Sequence, residues 1–197
     1  MSPETHLLGS WIIAAKTTDN PRDCRLVTLA GILPDLDGLG LVVDLGRSAL
    51  GLSNRHFYGN YHHYLLHGVF GGVLITAVLT CFARRRWRVA LLALLLFHLH
   101  LLCDFVGSRG PAPTDLWPIY YLGPFTQHPV WEWAGQWRLD GWFNRYLTVA
   151  LFLWALWLPI KLGHSVVGVF NRRADQAVVG VLRKWHGDLI SRRNRAV

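Results

Sequence analysis

The sequence predicts an all-α protein: a helical membrane bundle with about three apolar helices and a His/Asp metal site at one end. Three observations carry that expectation. Hydrophobic residues make up 52% of the 197 residues and charged residues only 16%, against about 25% charged in an average soluble domain. Three apolar runs, 68–82, 89–105 and 147–160, are each bordered by basic residues. His and Asp residues stand at the ends of those runs, where ionisable groups are costly unless paired or metal-bound.

The same composition excludes a disordered or collagen-like chain. The net charge is +8, with ten His and ten Trp. Cys24, Cys81 and Cys103 are far apart and form no C-x-x-C, so neither a disulfide framework nor a thiolate zinc site is expected. The basic residues are clustered. Arg84, Arg85, Arg86 and Arg88 separate two apolar runs; Lys161, Arg172, Arg173, Arg183, Lys184, Arg192, Arg193 and Arg195 follow the last. Clusters beside apolar runs mark membrane flanks, whereas a nucleic-acid binder spreads its charge over one face.

Along the chain, Ser2-Pro3-Glu4 reads as a helix start, Ser as cap and Pro in the first turn, for a helix over about 3–16. Without a basic n-region it is not a signal peptide, so His6 is expected in the mature chain. Polar residues 17–25 read as a loop. A short helix then ends near Leu33, before a turn at Pro34-Asp35-Leu36-Asp37-Gly38. Residues 44–60 read as irregular or weakly helical. Tyr61 to Phe82 reads as a helix of about 20 residues, Val89 to Phe105 as a second and Leu147 to Ile160 as a third, stopped by Pro159. The stretch 106–145, rich in Gly, Pro and Trp, reads as a structured loop. The runs hold about 14–17 residues against roughly 20 for a full crossing, so a buried soluble bundle is the alternative. Residues 1–160 form one domain on this reading, and 161–197 a basic tail with amphipathic character.

His62, His63 and His67 open the first long helix; His98, His100 and Asp104 close the second. With Arg86 as the bend of a hairpin, His67 lies 19 residues before it, His100 lies 14 after and Asp104 lies 18 after. Antiparallel helices then bring them to a common height about 25 Å from the arginines, at about 1.5 Å per residue. His100 and Asp104 are spaced i, i+4 and share a face. Imidazole with carboxylate suits zinc, manganese or iron. Core histidines bonded to carbonyls, with Asp104 as a cap, are the alternative. Asp35 and Asp37 point two carboxylates from one turn, which repel unless a cation lies between them; an ordinary Asp-rich turn is the alternative.

Taken in order, His6-Leu-Leu-Gly9, Gly31-Ile-Leu-Pro-Asp35-Leu-Asp37, His62-His-Tyr-Leu-Leu-His67-Gly and His100-Leu-Leu-Cys-Asp104 resemble the motifs of the bacterial membrane-bound, metal-dependent hydrolases related to YdjM, an inner-membrane protein. Gly110, Trp117-Pro118 and Pro124-Phe125 resemble the stretch that follows. The resemblance covers about residues 1–160. His63 stands where the family has Arg, Leu66 where it has Thr, Gly68 where it has Ser and Gly38 where it has His, which leaves open a ligand role for His63.

The resemblance implies a membrane-bound metal-dependent hydrolase in the bacterial inner membrane, multi-pass, with His6, Asp35, His67, His100 and Asp104 as metal ligands. Asp37 and His62 are its candidate catalytic residues, whichever is not a ligand serving as general base. The cofactor is one or two divalent ions, zinc with manganese or iron as alternatives. Helix-borne His and H-x-x-x-D ligands are also similar to those of zinc-dependent phospholipase C, which suggests phosphoester chemistry by analogy. The expected partners are membrane lipid and a small-molecule or lipid substrate, with no nucleic acid. Arg109 is a candidate phosphate contact, or a solvated loop charge. With Arg84–Arg88 and the tail in the cytoplasm, the site faces outward, where Trp117, Trp131, Trp133, Trp137 and Trp142 either line the interface or pack the loop. Two competing readings are a non-catalytic membrane protein with a structural or degenerate metal site, and a soluble nucleic-acid binder using the tail.

Overall fold

The structure is a computed structural model that describes residues 1–52 and 57–195. Among them it is all-helical, with no strand beyond the isolated bridges Arg109–Arg138 and Ile119–Trp131. Helix α1 spans Pro3–Thr17, α2 Pro21–Ala30, α3 Gly40–Ala49, α4 Phe57–Tyr61, α5 Val69–Cys81, α6 Arg86–Gly107, α7 Trp142–Leu162 and α8 Arg172–Arg195. Short 3-10 helices occupy Leu33–Leu39 and Val166–Val169.

Several local expectations change. Residues 17–25 are not all loop: α2 begins at Pro21, because Asn20 caps it through the Asp23 N–H and Pro fits the first helical position. At α1, Ser2 is the capping residue by position, but its hydroxyl meets Thr5 Oγ1 and bonds no backbone N–H. The Asp35–Asp37 turn is one 3-10 helix. The expected irregularity of 44–60 gives way to α3 up to Ala49 and α4 from Phe57; residues 53–56 lie outside the described residues. The side chains of Arg192, Arg193 and Arg195 in the tail also lie outside them.

The largest change concerns Tyr61–Phe82. After Tyr61, the last residue of α4, only Val69–Cys81 is helical there, 13 residues, or about 20 Å. His62, His63 and His67 sit in a turn segment ahead of it. That segment folds back over the start of α5: a side chain at Gly71 would overlap the Leu66 backbone, and Val69 N–H bonds the Tyr121 carbonyl. By length and composition, α6 and α7 can each cross a membrane, and α2 with the segment Leu33–Ala49, bent by 51°, is a third span if taken as one. Helix α7 carries Pro159 in its last turn and runs on to Leu162, where Gly163 closes it at φ +76°.

The bundle is built on close contact. Helix α1 packs on α2 and α7, and α6 packs on α2 and α5. Trp11, Val27, Val89, Leu96 and Phe97 are buried at its centre beside Ala14, Ala30 and Ala93. Small residues let helices approach where packing, rather than water exclusion, drives association. Gly72 shows the tolerance: a Cβ there would lie 2.9 Å from the Phe97 ring. The outer faces are apolar and exposed, as at Leu95, Phe152 and Leu153.

Two buried amides finish the far end of α6. Asn144 donates to the Gly107, Arg138 and Leu139 carbonyls and accepts from the Trp137 indole N–H at 2.8 Å. Gln136 donates to the Asp104, Phe105 and Trp117 carbonyls. They satisfy carbonyls that a helix end leaves without partners. The starts of α1, α5 and α7 and the ends of α2 and α6 therefore lie at the same end of the bundle.

Candidate metal centre

At that end the predicted residues converge. His67 Nε2 lies 3.1 Å from His100 Nε2, 3.5 Å from Asp104 Oδ2 and 3.9 Å from Asp35 Oδ1. His100 Nε2 lies 3.0 Å from Asp104 Oδ2 and 3.6 Å from Asp35 Oδ1. His6, on α1, stacks on the His100 ring at 3.8 Å and places Nε2 3.1 Å from Asp104 Oδ1. His6, His67, His100 and Asp104 are buried and Asp35 is half-buried.

Hydrogen bonding fixes what these atoms present. His100 Nδ1 donates to the Gly31 carbonyl at 2.9 Å. A carbonyl can only accept, so in the neutral ring the proton is on Nδ1 and Nε2 carries a lone pair. His67 Nδ1 donates to Asp37 Oδ2 at 3.0 Å, which assigns its Nε2 in the same way. With both rings neutral, two lone pairs face each other across 3.1 Å, beside two carboxylates. Asp104 Oδ2 and Asp35 Oδ2 are buried with no hydrogen-bond partner among the described residues. Acceptors facing acceptors repel unless a proton or a cation lies between them. For tetrahedral bonds of about 2.1 Å the ligand atoms stand about 3.4 Å apart, and the separations of 3.0–3.9 Å bracket that value. The residues fit a divalent ion, and two groups could hold one: His6, Asp35, His100 and Asp104, and His62, His63 and His67.

Second partners orient the donors. Asp37 is buried, and its Oδ1 accepts from His62 Nδ1 at 2.7 Å while Oδ2 accepts from His67 Nδ1 and the Leu66 N–H. Carboxylate-to-imidazole bonds of this kind fix the tautomer of metal-binding histidines. Gly31 brings α2 onto α1 so closely that any side chain there would overlap Ser10, and this approach sets its carbonyl against His100. The Met1 amino group bonds Asp104 Oδ1 and Ser108 Oγ. Asp35 and Asp37 thus divide the work of one 3-10 turn, Asp35 facing the imidazole pair and Asp37 backing it.

His63 was outside the predicted ligand set. It is buried, with Nε2 3.9 Å from Asp104 Oδ2 and Nδ1 without a hydrogen-bond partner among the described residues. Its φ of +64° is uncommon for a residue with a side chain and recurs at functional sites. Its place beside His62 and four positions before His67, and its departure from the family's Arg, are the sequence signals for it. His98 goes the other way. Two residues before His100, it points to the opposite face, bonding the Leu94 carbonyl and the Tyr121 hydroxyl. Arg109 binds through its backbone to Trp137 and Leu139, and its Nε is buried without a hydrogen-bond partner among the described residues.

The electrostatics agree with a site awaiting positive charge. Burial works against a proton on His67, but the Asp104 and Asp37 carboxylates outweigh it and push the imidazole up to about 9, so a proton on this ring relieves the facing acceptors where no cation does. Burial, with the field of neighbouring His67, holds His63 well below the usual histidine value. Burial and His100 lower His6. Burial raises the Tyr58 phenol to about 12, with the Asp35, Asp37 and Asp104 carboxylates adding to it, so its hydroxyl stays a donor. Tyr58 stacks on His62 at 4.6 Å, and Trp117 packs edge-on against His62 and His63. These rings line a cavity of about 210 Å³ with Pro118 and Tyr120. Trp117 and Trp137 are thus loop-packing residues, whereas Trp142 is exposed on α7.

Searches of curated proteins and of solved structures returned no match. The profile of the YdjM inner membrane protein family matches residues 1–173, a span that contains every residue of the His/Asp cluster and both long apolar helices. The chain belongs to that family and is an inner-membrane protein.

Proposed function

We propose that the protein is a membrane-bound, metal-dependent hydrolase that cleaves a phosphoester, with the His67–His100 pair of opposed lone pairs as the observation that carries the reading. His67, His100, Asp104 and Asp35 would hold a divalent ion, zinc by the preference of imidazole and carboxylate for it, with manganese or iron as alternatives. His6 would complete the site, and His63 would contribute to a second ion. When bound, such an ion supplies Lewis acidity toward a phosphoryl oxygen and acidifies a nearby water.

The chain's own residues do the rest. Asp37 holds the His62 ring by Nδ1, leaving Nε2 as the nitrogen that exchanges a proton. His62 lines the 210 Å³ cavity, so this Asp–His pair can take a proton from water as its oxygen bonds phosphorus. The ester P–O bond breaks, and the proton passes to the departing alkoxide. Arg109, just after α6, would be the residue to hold a phosphate oxygen. Arg84–Arg88 occupy the opposite end of the bundle, and with them in the cytoplasm the centre opens outward.

The test is metal quantification on detergent-purified protein beside a panel of phosphodiesters and phospholipids. The expected result is at least one metal per chain and a hydrolysed substrate, both lost in His100→Ala while the protein still accumulates in membranes. A structural or decayed metal site is the second reading, favoured by His63, Leu66 and Gly68 at positions where the family has other residues. It predicts metal without turnover.

A further inference from the structure

A second cavity, of about 290 Å³, opens on the side of the centre away from Tyr58. It is a groove between α1, α6 and α7, and its lining is largely apolar. At one end its walls are His6 and His100, two members of the His/Asp cluster; at the other Lys16 lies over the Trp154 ring at 4.5 Å. From His6 to Lys16 the helix rises about 15 Å, half the ~30 Å hydrocarbon thickness of a bilayer. Leu151 and Trp154 form its α7 wall, and the rest of α7 exposes Val149, Phe152 and Leu153, so the groove lies on the face turned to lipid.

We infer that this groove holds one hydrocarbon chain of a membrane phospholipid whose head group reaches the His/Asp centre. Two features select that occupant. The groove is continuous with the centre, so a ligand in it cannot avoid His6 and His100. Its length matches one leaflet's chain. Gly9 keeps the groove open, because it contributes no side chain; a Cβ there would stand 3.8 Å from Leu151, ordinary contact. The inference rests on reading the centre as a phosphoester hydrolase and names its substrate class as an amphiphile entering from the bilayer.

The experiment reconstitutes the full-length protein in phosphatidylethanolamine–phosphatidylglycerol vesicles containing a phosphatidylglycerol with a photoactivatable acyl chain. Adducts are mapped by peptide mass spectrometry, with metal content measured on the same samples. Adducts on the α1 and α7 walls are expected in the wild type and in Gly9→Ala. In Gly9→Leu, a better helix former that fills the groove, they are lost while metal content is unchanged. Leu151→Trp plugs the groove from the other wall and replaces Gly9→Leu if that variant fails to accumulate. Adducts spread evenly over the exposed faces of α6 and α7 overturn the inference, as do adducts that persist in both plugged variants. A wild-type groove without adducts, as when a second copy of the chain fills it, also overturns it. Groove adducts without turnover leave the groove standing and remove the hydrolase reading. Turnover of bis(p-nitrophenyl) phosphate without groove adducts does the reverse.

Discussion

The two ends of the bundle each bury an aspartate, and the two carboxylates meet opposite surroundings. At the arginine end, Asp23 accepts from the Arg84 N–H at 2.8 Å, the Arg85 N–H at 3.0 Å and the Asn20 amide at 2.9 Å. Every partner is a donor, and the carboxylate ties the α5–α6 turn to the start of α2. Asp19 adds exposed pairs with Arg85 and Arg88. At the other end, Asp104 Oδ1 is satisfied by Ser108 and the Met1 amino group, while Oδ2 faces the His67 and His100 lone pairs and no hydrogen-bond donor among the described residues. A satisfied buried carboxylate stabilises a fold; one surrounded by acceptors needs something brought from outside.

Removing each carboxylate should separate the two cases. Asp104→Ala should lower metal affinity by more than about 10²-fold, beyond what loss of an orienting partner gives, with the protein still present in membranes. Competition against a chelator in detergent measures it; full metal retention would dissolve the contrast between the ends. Asp23→Ala should do the converse. Leaving the Arg84 and Arg85 N–H groups without their acceptor should cost about 2–4 kcal/mol, seen as a lower thermal midpoint in detergent, with metal content unchanged.

Smaller changes sharpen the comparison. Asp37→Asn keeps the shape beside His62 and His67 but weakens both bonds. Metal affinity should fall by about 10–100-fold, and the same chelator titration reads it. Asp19→Ala breaks only exposed pairs. It should change stability by less than about 1 kcal/mol and leave metal binding as it was; a large loss would mean the arginine end depends on these pairs more than on Asp23.

How much of this was legible beforehand differs by residue. The i, i+4 spacing places His100 and Asp104 on one face wherever the helix sits, and the hairpin count from Arg86 set His67 at their height. That alignment held although the helical segment expected over Tyr61–Phe82 is only Val69–Cys81, because a chain of turns spans the remaining distance as well as a helix does. His98 was grouped with the cluster by nearness in sequence; two residues along a helix is about half a circle, so it faces Tyr121. The start of α2 was readable in Asn20-Pro21 but masked by the polar residues around it. Helices α1, α6 and α7 stood out by end signals, length and apolar content, and α8 by its amphipathic pattern, which are local properties.

The sequence by itself determined the all-helical class, the membrane setting and the residue types of the centre, because hydropathy, helix spacing and the cost of charge in an apolar run act within one segment. The tertiary structure alone decided which nitrogens carry lone pairs, that Asp35 faces the imidazoles while Asp37 backs them, that His63 turns inward, and that a groove runs from His6 to Lys16. Each of these depends on partners 25 or more positions away in the chain, such as Asp37 with His62, Gly31 with His100, His6 with Asp104 and Lys16 with Trp154. Only packing brings such groups within hydrogen-bonding distance.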